Sequence, residues 1–101
     1  AYTFPVAIDD ELLPNAFKLY EPFPNPFNPS ITIRFSVGTT DLLSLRVFDI
    51  TGRLVETLVD DEINPGEYSF QWHAKNQPSG IYFVKLTSEQ KSQTRKILLL
   101  K

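Results

Sequence analysis

Ser30-Ile31-Thr32-Ile33-Arg34-Phe35-Ser36-Val37 is the stretch that decides the fold class. Ile31, Ile33, Phe35 and Val37 fall on one face and Thr32, Arg34 and Ser36 on the other, the period-two alternation of a strand with one side buried. Downstream, the turn signal at residues 38–41 leads into Leu43, Leu45 and Val47 alternating with Ser44 and Arg46 up to Asp49-Ile50, which reads as a second strand. Thr51-Gly52 supplies a tight reversal. The apolar positions of Arg53-Leu54-Val55-Glu56-Thr57-Leu58-Val59 fit a strand and a short helix about equally, and the segment is assigned as strand.

Residues 60–66 are expected to form a turn: Pro65 presets one turn position and Gly66 supplies a positive φ. Tyr68, Phe70 and Trp72 then alternate with Ser69, Gln71 and His73, an aromatic ladder expected to face the core. After the turn Asn76-Gln77-Pro78-Ser79-Gly80, Tyr82, Val84 and Leu86 face opposite to Phe83, Lys85 and Thr87. A polar hairpin at Glu89-Gln90-Lys91 introduces a last strand, Thr94 onward to Leu100. Upstream, Pro5, Pro14, Pro22, Pro24, Pro26 and Pro29 are six of the eight prolines. Proline fixes φ and disfavours helix at the residue before it, so this segment is extended, with Phe17, Leu19 and Phe23 available for a short first strand. Residues 1–13, with Asp9-Asp10-Glu11, are expected to be a linker from an upstream domain and 14–101 the folded module.

The count is six or seven strands, with turns at intervals of roughly 8 to 14 residues, the rhythm of a two-sheet antiparallel sandwich. At 101 residues, 42% hydrophobic and 22% charged, the composition is that of one globular domain with one core. The chain has no methionine, and neither a basic nor an apolar leader follows Ala1; it is expected to be part of a longer protein. No apolar run approaches the length of about 18 residues that a transmembrane helix needs.

A net charge of −2 provides no positive field for nucleic acid. With no cysteine and His73 the sole histidine, neither a disulfide framework nor a zinc site can be built, and no cofactor is expected. No nucleophile-elbow sequence accompanies His73. The acidic groups Asp9-Asp10-Glu11 and Asp60-Asp61-Glu62 lack the spacing and glycine of calcium loops, and read as solvated linker and turn. Catalysis is not expected.

Two features need more. Pro24-Asn25-Pro26-Phe27-Asn28-Pro29 is a rigid extended block whose asparagines can bond nearby backbone. From Lys85 to Lys101, five basic residues stand against Glu89 alone, which makes the last hairpin locally cationic.

Leu13-Pro14, Phe17, Leu19 and Pro24-Asn25-Pro26-Phe27-Asn28-Pro29-Ser30-Ile31-Thr32-Ile33-Arg34-Phe35 closely resemble the opening of the C-terminal sorting domains of the type IX secretion system. Val47-Phe48-Asp49-Ile50-Thr51-Gly52-Arg53-Leu54-Val55 is similar to that family's central stretch, Gly80-Ile81-Tyr82-Phe83 to its G-x-Y motif, and Thr94-Arg95-Lys96-Ile97-Leu98-Leu99 to its basic-apolar end. Glu21-Pro22-Phe23 and His73 depart from the residues common there. The resemblance implies an all-β, immunoglobulin-like antiparallel β-sandwich of about seven strands. It further implies an export signal recognised by an outer-membrane secretion translocon and removed by its processing protease, on a cargo that passes the periplasm to the cell surface or medium. Carried over, the signal residues are Pro24, Asn25, Pro26, Phe27, Asn28, Pro29, Gly80, Tyr82, Arg95 and Lys96. The exposed prolines and the cationic final strand are the expected contacts, with strand addition along that edge as one mode. The competing reading is a non-catalytic accessory sandwich that binds carbohydrate on exposed aromatics or packs on an upstream enzyme domain.

Overall fold

The computed structural model describes residues 17–101. The expected linker at 1–13, with Asp9-Asp10-Glu11, lies outside the described residues, as do Leu13 and Pro14 of the resemblance. Seven strands follow one another: β1 (Lys18–Leu19), β2 (Ser30–Val37), β3 (Asp41–Asp49), β4 (Leu54–Ile63), β5 (Gly66–His73), β6 (Gly80–Thr87) and β7 (Ser92–Leu99). They form a three-stranded sheet, β1-β2-β5, and a four-stranded sheet, β4-β3-β6-β7, and every strand pair is antiparallel. This is the expected all-β sandwich. Its fourth strand pairs with β3, whereas in the immunoglobulin constant arrangement the fourth strand joins the other sheet.

The alternation in the sequence places the core. Ile31, Ile33, Phe35 and Val37 of β2 face Leu43, Leu45 and Val47 of β3, Tyr82, Val84 and Leu86 of β6, and Ile97 and Leu99 of β7, all buried. Each such side chain contributes about 1.5–3 kcal/mol of burial free energy. The aromatic ladder of β5 divides. Trp72 is buried, while Tyr68 and Phe70 are half-buried and stack on Phe35 with ring centroids 5.4 and 5.9 Å apart.

Strand β4 explains its own ambiguous pattern. Its register against β3 shifts twice: Leu45 pairs with Val59 but Arg46 with Thr57, and Val47 pairs with Glu56 but Phe48 with Leu54. A bulge places two residues opposite one and re-aims the side chains, so Val55, Leu58, Val59 and Ile63 all reach the core despite helix-like spacing. One expectation is corrected here. Asp60-Asp61-Glu62 lies inside β4, where Asp60, Asp61 and Glu62 pair with Ser44, Leu43 and Leu42. The reversal begins only at Asn64-Pro65, and the carboxylates stay solvated because β4 is an edge strand.

Candidate recognition site

Antiparallel pairing brings the four resembling stretches to one end of the sandwich. Ser30 of β2 pairs with His73 of β5, Asp49 of β3 with Tyr82 of β6, and Gly80 of β6 with Leu99 of β7. The connections at 20–29, 50–53 and 74–79 and the residues after β7 therefore share this end, while those at 38–40, 64–65 and 88–91 lie at the other.

The proline block spans the gap between the two sheets. Phe23 exchanges two backbone hydrogen bonds with Thr32, at 3.1 and 2.8 Å. Proline has no N–H to offer a neighbouring strand, and the Asn25 side chain supplies the missing pair of groups. Its Nδ2 donates to the Lys96 carbonyl at 3.1 Å, and its Oδ1 accepts from the Leu98 N–H at 3.0 Å. Phe27 continues the ladder, donating to Leu98 at 2.9 Å and accepting from the Leu100 N–H at 3.0 Å. The Phe23–Pro24, Asn25–Pro26 and Asn28–Pro29 bonds are cis.

Behind the block, Phe27, 2% exposed, packs on Trp72 at 5.8 Å between centroids, and Trp72 meets Tyr82 edge-on at 5.4 Å. The Tyr82 hydroxyl donates to the Pro78 carbonyl at 2.6 Å, the corner that immunoglobulin-like sandwiches place before their sixth strand. Gly80 makes this corner with φ of 152°. Burial, with the nearby Asp49 charge adding to it, pushes the Tyr82 phenol above its ordinary value.

Asp49 organises the adjacent turn. Its Oδ1 accepts from the Thr51 hydroxyl at 2.6 Å, the Thr51 N–H at 2.9 Å and the Arg53 N–H at 3.0 Å, and its Oδ2 meets Arg53 Nε at 3.2 Å. The Thr51 hydroxyl is the main cause that holds the carboxyl below its ordinary value; the Arg53 and Thr51 amides and the Arg53 charge act in the same direction, and partial burial opposes them. A cleft of about 180 Å³ lies between this turn and the 77–82 segment. Lys101 ties the chain's last residue across the same end, through Ser79 Oγ at 3.0 Å and the Lys75 carbonyl at 2.6 Å.

The cationic strand splits by face. Arg95 points along the seam between the sheets: Nε donates to the Leu19 carbonyl at 3.0 Å and Nη1 pairs with Glu21 at 3.0 Å. Gln93 assists there by accepting from the Leu19 N–H at 2.7 Å. Lys96 instead is exposed beside Phe83 on the outer face. Of the ten residues singled out in the sequence, Phe27, Gly80, Tyr82 and Arg95 thus sit in packing or internal bonds. Pro24, Asn25, Pro26, Asn28 and Lys96 are exposed and Pro29 is half-buried. Strand addition along β7 at this end is corrected: Lys96, Leu98 and Leu100 already spend their edge groups on Asn25 and Phe27. The residues 17–27 run beside β7 and close that side of the sandwich.

Sequence reasoning missed two members of this end. Asp49 was legible as an Asp two residues before Thr51, the Asx-turn pattern. Trp72 was read as core, and its position between Phe27 and Tyr82 needs the sheet pairing to be seen. His73 is exposed and shares a 2.7 Å hydrogen bond with Ser30 Oγ. Among the described residues no cluster of His, Cys, Asp or Glu could hold a metal ion, and no helix is long and apolar enough to cross a membrane.

No curated protein sequence matches the chain. The structure is similar to part of PorZ, an essential bacterial surface component of the type-IX secretion system of Porphyromonas gingivalis. The TM-score is 0.60 with 21% identity over 82% of this chain, and the chain spans only 11% of that one. The family model for the secretion system C-terminal sorting domain matches residues 21–100, from the salt-bridged Glu21 to the Leu100 held by Phe27. The chain belongs to the family of secretion system C-terminal sorting domains.

Proposed function

We propose that this domain is the address by which an attached upstream cargo, joined through residues 1–13, leaves the periplasm through the type IX outer-membrane translocon. In this reading a processing protease of the system releases the cargo at the surface or into the medium, and the domain performs no chemistry itself. The observation that carries the reading is convergence. Stretches separated by more than 70 residues in sequence, such as Asn25 and Lys96, are bonded into one end of one module, as a signal read in the folded state requires. Pro24, Asn25, Pro26, Asn28 and Lys96 are its exposed signal residues; Phe27, Gly80, Tyr82 and Arg95 shape the surface from beneath.

The accessory-module reading loses its main support, because Trp72 is buried and Tyr68 and Phe70 stack against Phe35. No exposed aromatic platform is left on β5 for a sugar ring. The test is a neutral periplasmic carrier ending in residues 13–101, expressed in a host with the type IX machinery and in its translocon mutant. The carrier is expected outside the cell in the intact host only. A folded fusion retained in the periplasm of both strains would overturn the reading.

A further inference from the structure

The two outer faces of the sandwich differ in chemistry. On the three-stranded sheet, Thr32, Arg34, Glu67, Ser69 and Gln71 make the outer face polar across β2 and β5, with Tyr20 under Arg34 and the exposed Phe23 beside Thr32 as its aromatic border. On the four-stranded sheet the outward phase of the alternation is apolar near the end that carries the motifs. Leu54, Phe48 and Phe83 lie in one cross-strand row, with Ile81 and Leu98 paired in the next. None of these five belongs to the core cluster; Leu54 is 49% exposed and Phe48, Phe83, Ile81 and Leu98 are half-buried. Ile50 and Leu100, 65% and 51% exposed, extend the patch at its upper rim. Contiguous apolar surface of this kind marks contact sites on otherwise polar domains.

The border of the patch is cationic. Lys96 stands opposite Phe83, and Lys85 is one outward position further along β6, beside Arg46. Arg46 is paired with Asp60 at 3.7 Å. Neither lysine ammonium has an ion-pair partner among the described residues. Resting on the sorting reading above, we infer that this face is the docking surface for a protein of the export machinery that presents apolar side chains bordered by carboxylates. The motif residues beneath set its register. Asn25 grips the backbone of Lys96 and Leu98, whose side chains carry the border charge and part of the patch. Two lysines on a chain of net charge −2 attract an anionic bilayer weakly, and a flat sheet face lacks a protruding apolar element to insert. A protein partner fits better.

The test places a photo-crosslinking phenylalanine analogue at position 83 or, on the polar face, at position 69 of the cargo-bearing chain in a host with the machinery. Crosslinking from 83 to a type IX component is expected at least about tenfold above that from 69, and to fall by a similar factor when Lys85→Glu and Lys96→Glu are combined. Export should fall with it. Both lysines are exposed, so the reversed chain should fold; protease resistance checks this, and Lys85→Ala with Lys96→Ala serves as the milder second pair. Equal crosslinking from 69, crosslinking from 83 to lipid alone, or undiminished export of the reversed, folded chain overturns the inference and leaves the sorting reading standing. Export of the unsubstituted chain without the machinery would instead remove the sorting reading and this inference with it.

Discussion

Residues 64–68 and 78–82 are two corners of one design at opposite ends of the sandwich. Each turns through a glycine, Gly66 at φ 151° and Gly80 at φ 152°. Each is closed by a tyrosine hydroxyl donating to the carbonyl four residues earlier, Tyr68 to Asn64 at 2.7 Å and Tyr82 to Pro78 at 2.6 Å. Their surroundings differ. Tyr68 is half-buried at an end of short polar connections, whereas Tyr82 is 3% exposed beneath Trp72 and beside the Asp49 turn. A G-x-Y sequence is therefore a way of starting a strand in this sandwich, and it occurs twice. What distinguishes the second copy is the company the fold brings to it: the proline block, the Asp49 turn and the end of β7.

That contrast can be broken first at Phe27, which joins the proline block to Trp72. Phe27→Ala should cost about 3–5 kcal/mol in urea unfolding; a loss below about 1 kcal/mol would mean that the block is an appendage and not part of the core. Next are the glycines. Neither a Cβ at Gly80 nor one at Gly66 meets closer than ordinary contact, the nearest atom being Tyr68 Cε1 at 3.7 Å from Gly66. The penalty is then conformational, and Gly66→Ala and Gly80→Ala should each cost about 1–3 kcal/mol, with similar shifts in denaturation midpoint. A large difference between them would show that the corners are not equivalent backbones.

Asn25→Ala should cost about 1–2 kcal/mol by leaving Lys96 and Leu98 groups unpaired, while Thr40→Ala at the other end, losing an exposed 3.3 Å bond to Asn64, should stay within about 0.5 kcal/mol. Tyr82→Phe should cost about 1 kcal/mol and Tyr68→Phe less, since water can reach the more exposed Asn64 carbonyl. The smallest effect is a pH dependence. Asp49 has a folded-state value below the ordinary 3.8, so below 3.8 the unfolded chain binds the proton more readily than the folded one. Its contribution is complete above that value and is lost as pH falls through the folded-state value. A Tm profile across the acid range should be flatter for Asp49→Asn than for the native chain.

Most of the fold was legible because one side of each sheet is buried, and period-two alternation at 31–37, 43–47 and 82–86 records that burial directly. At β4 the segment is the expected strand although its pattern is ambiguous, because two bulges shift the phase and give a strand helical spacing. The same edge position let Asp60, Asp61 and Glu62 look like a turn, since charge at a strand edge and charge in a loop read alike. At the candidate site, the proline block and Gly80 stood out because their residue types have few conformations. Their partners did not. The bonds from Asn25 to Lys96 and Leu98 span more than 70 residues, and the outward placement of the half-buried Phe48 and Phe83 follows only from knowing which phase of each strand faces water.

On the proposed function, this end of the sandwich is an export address. The most direct measurement is the fraction of carrier recovered outside intact cells when residues 13–101 are fused to its C-terminus. Secretion in the host with the type IX machinery, lost in the translocon mutant, is the predicted result. Equal retention of a folded, protease-resistant fusion in the periplasm of both strains would contradict it.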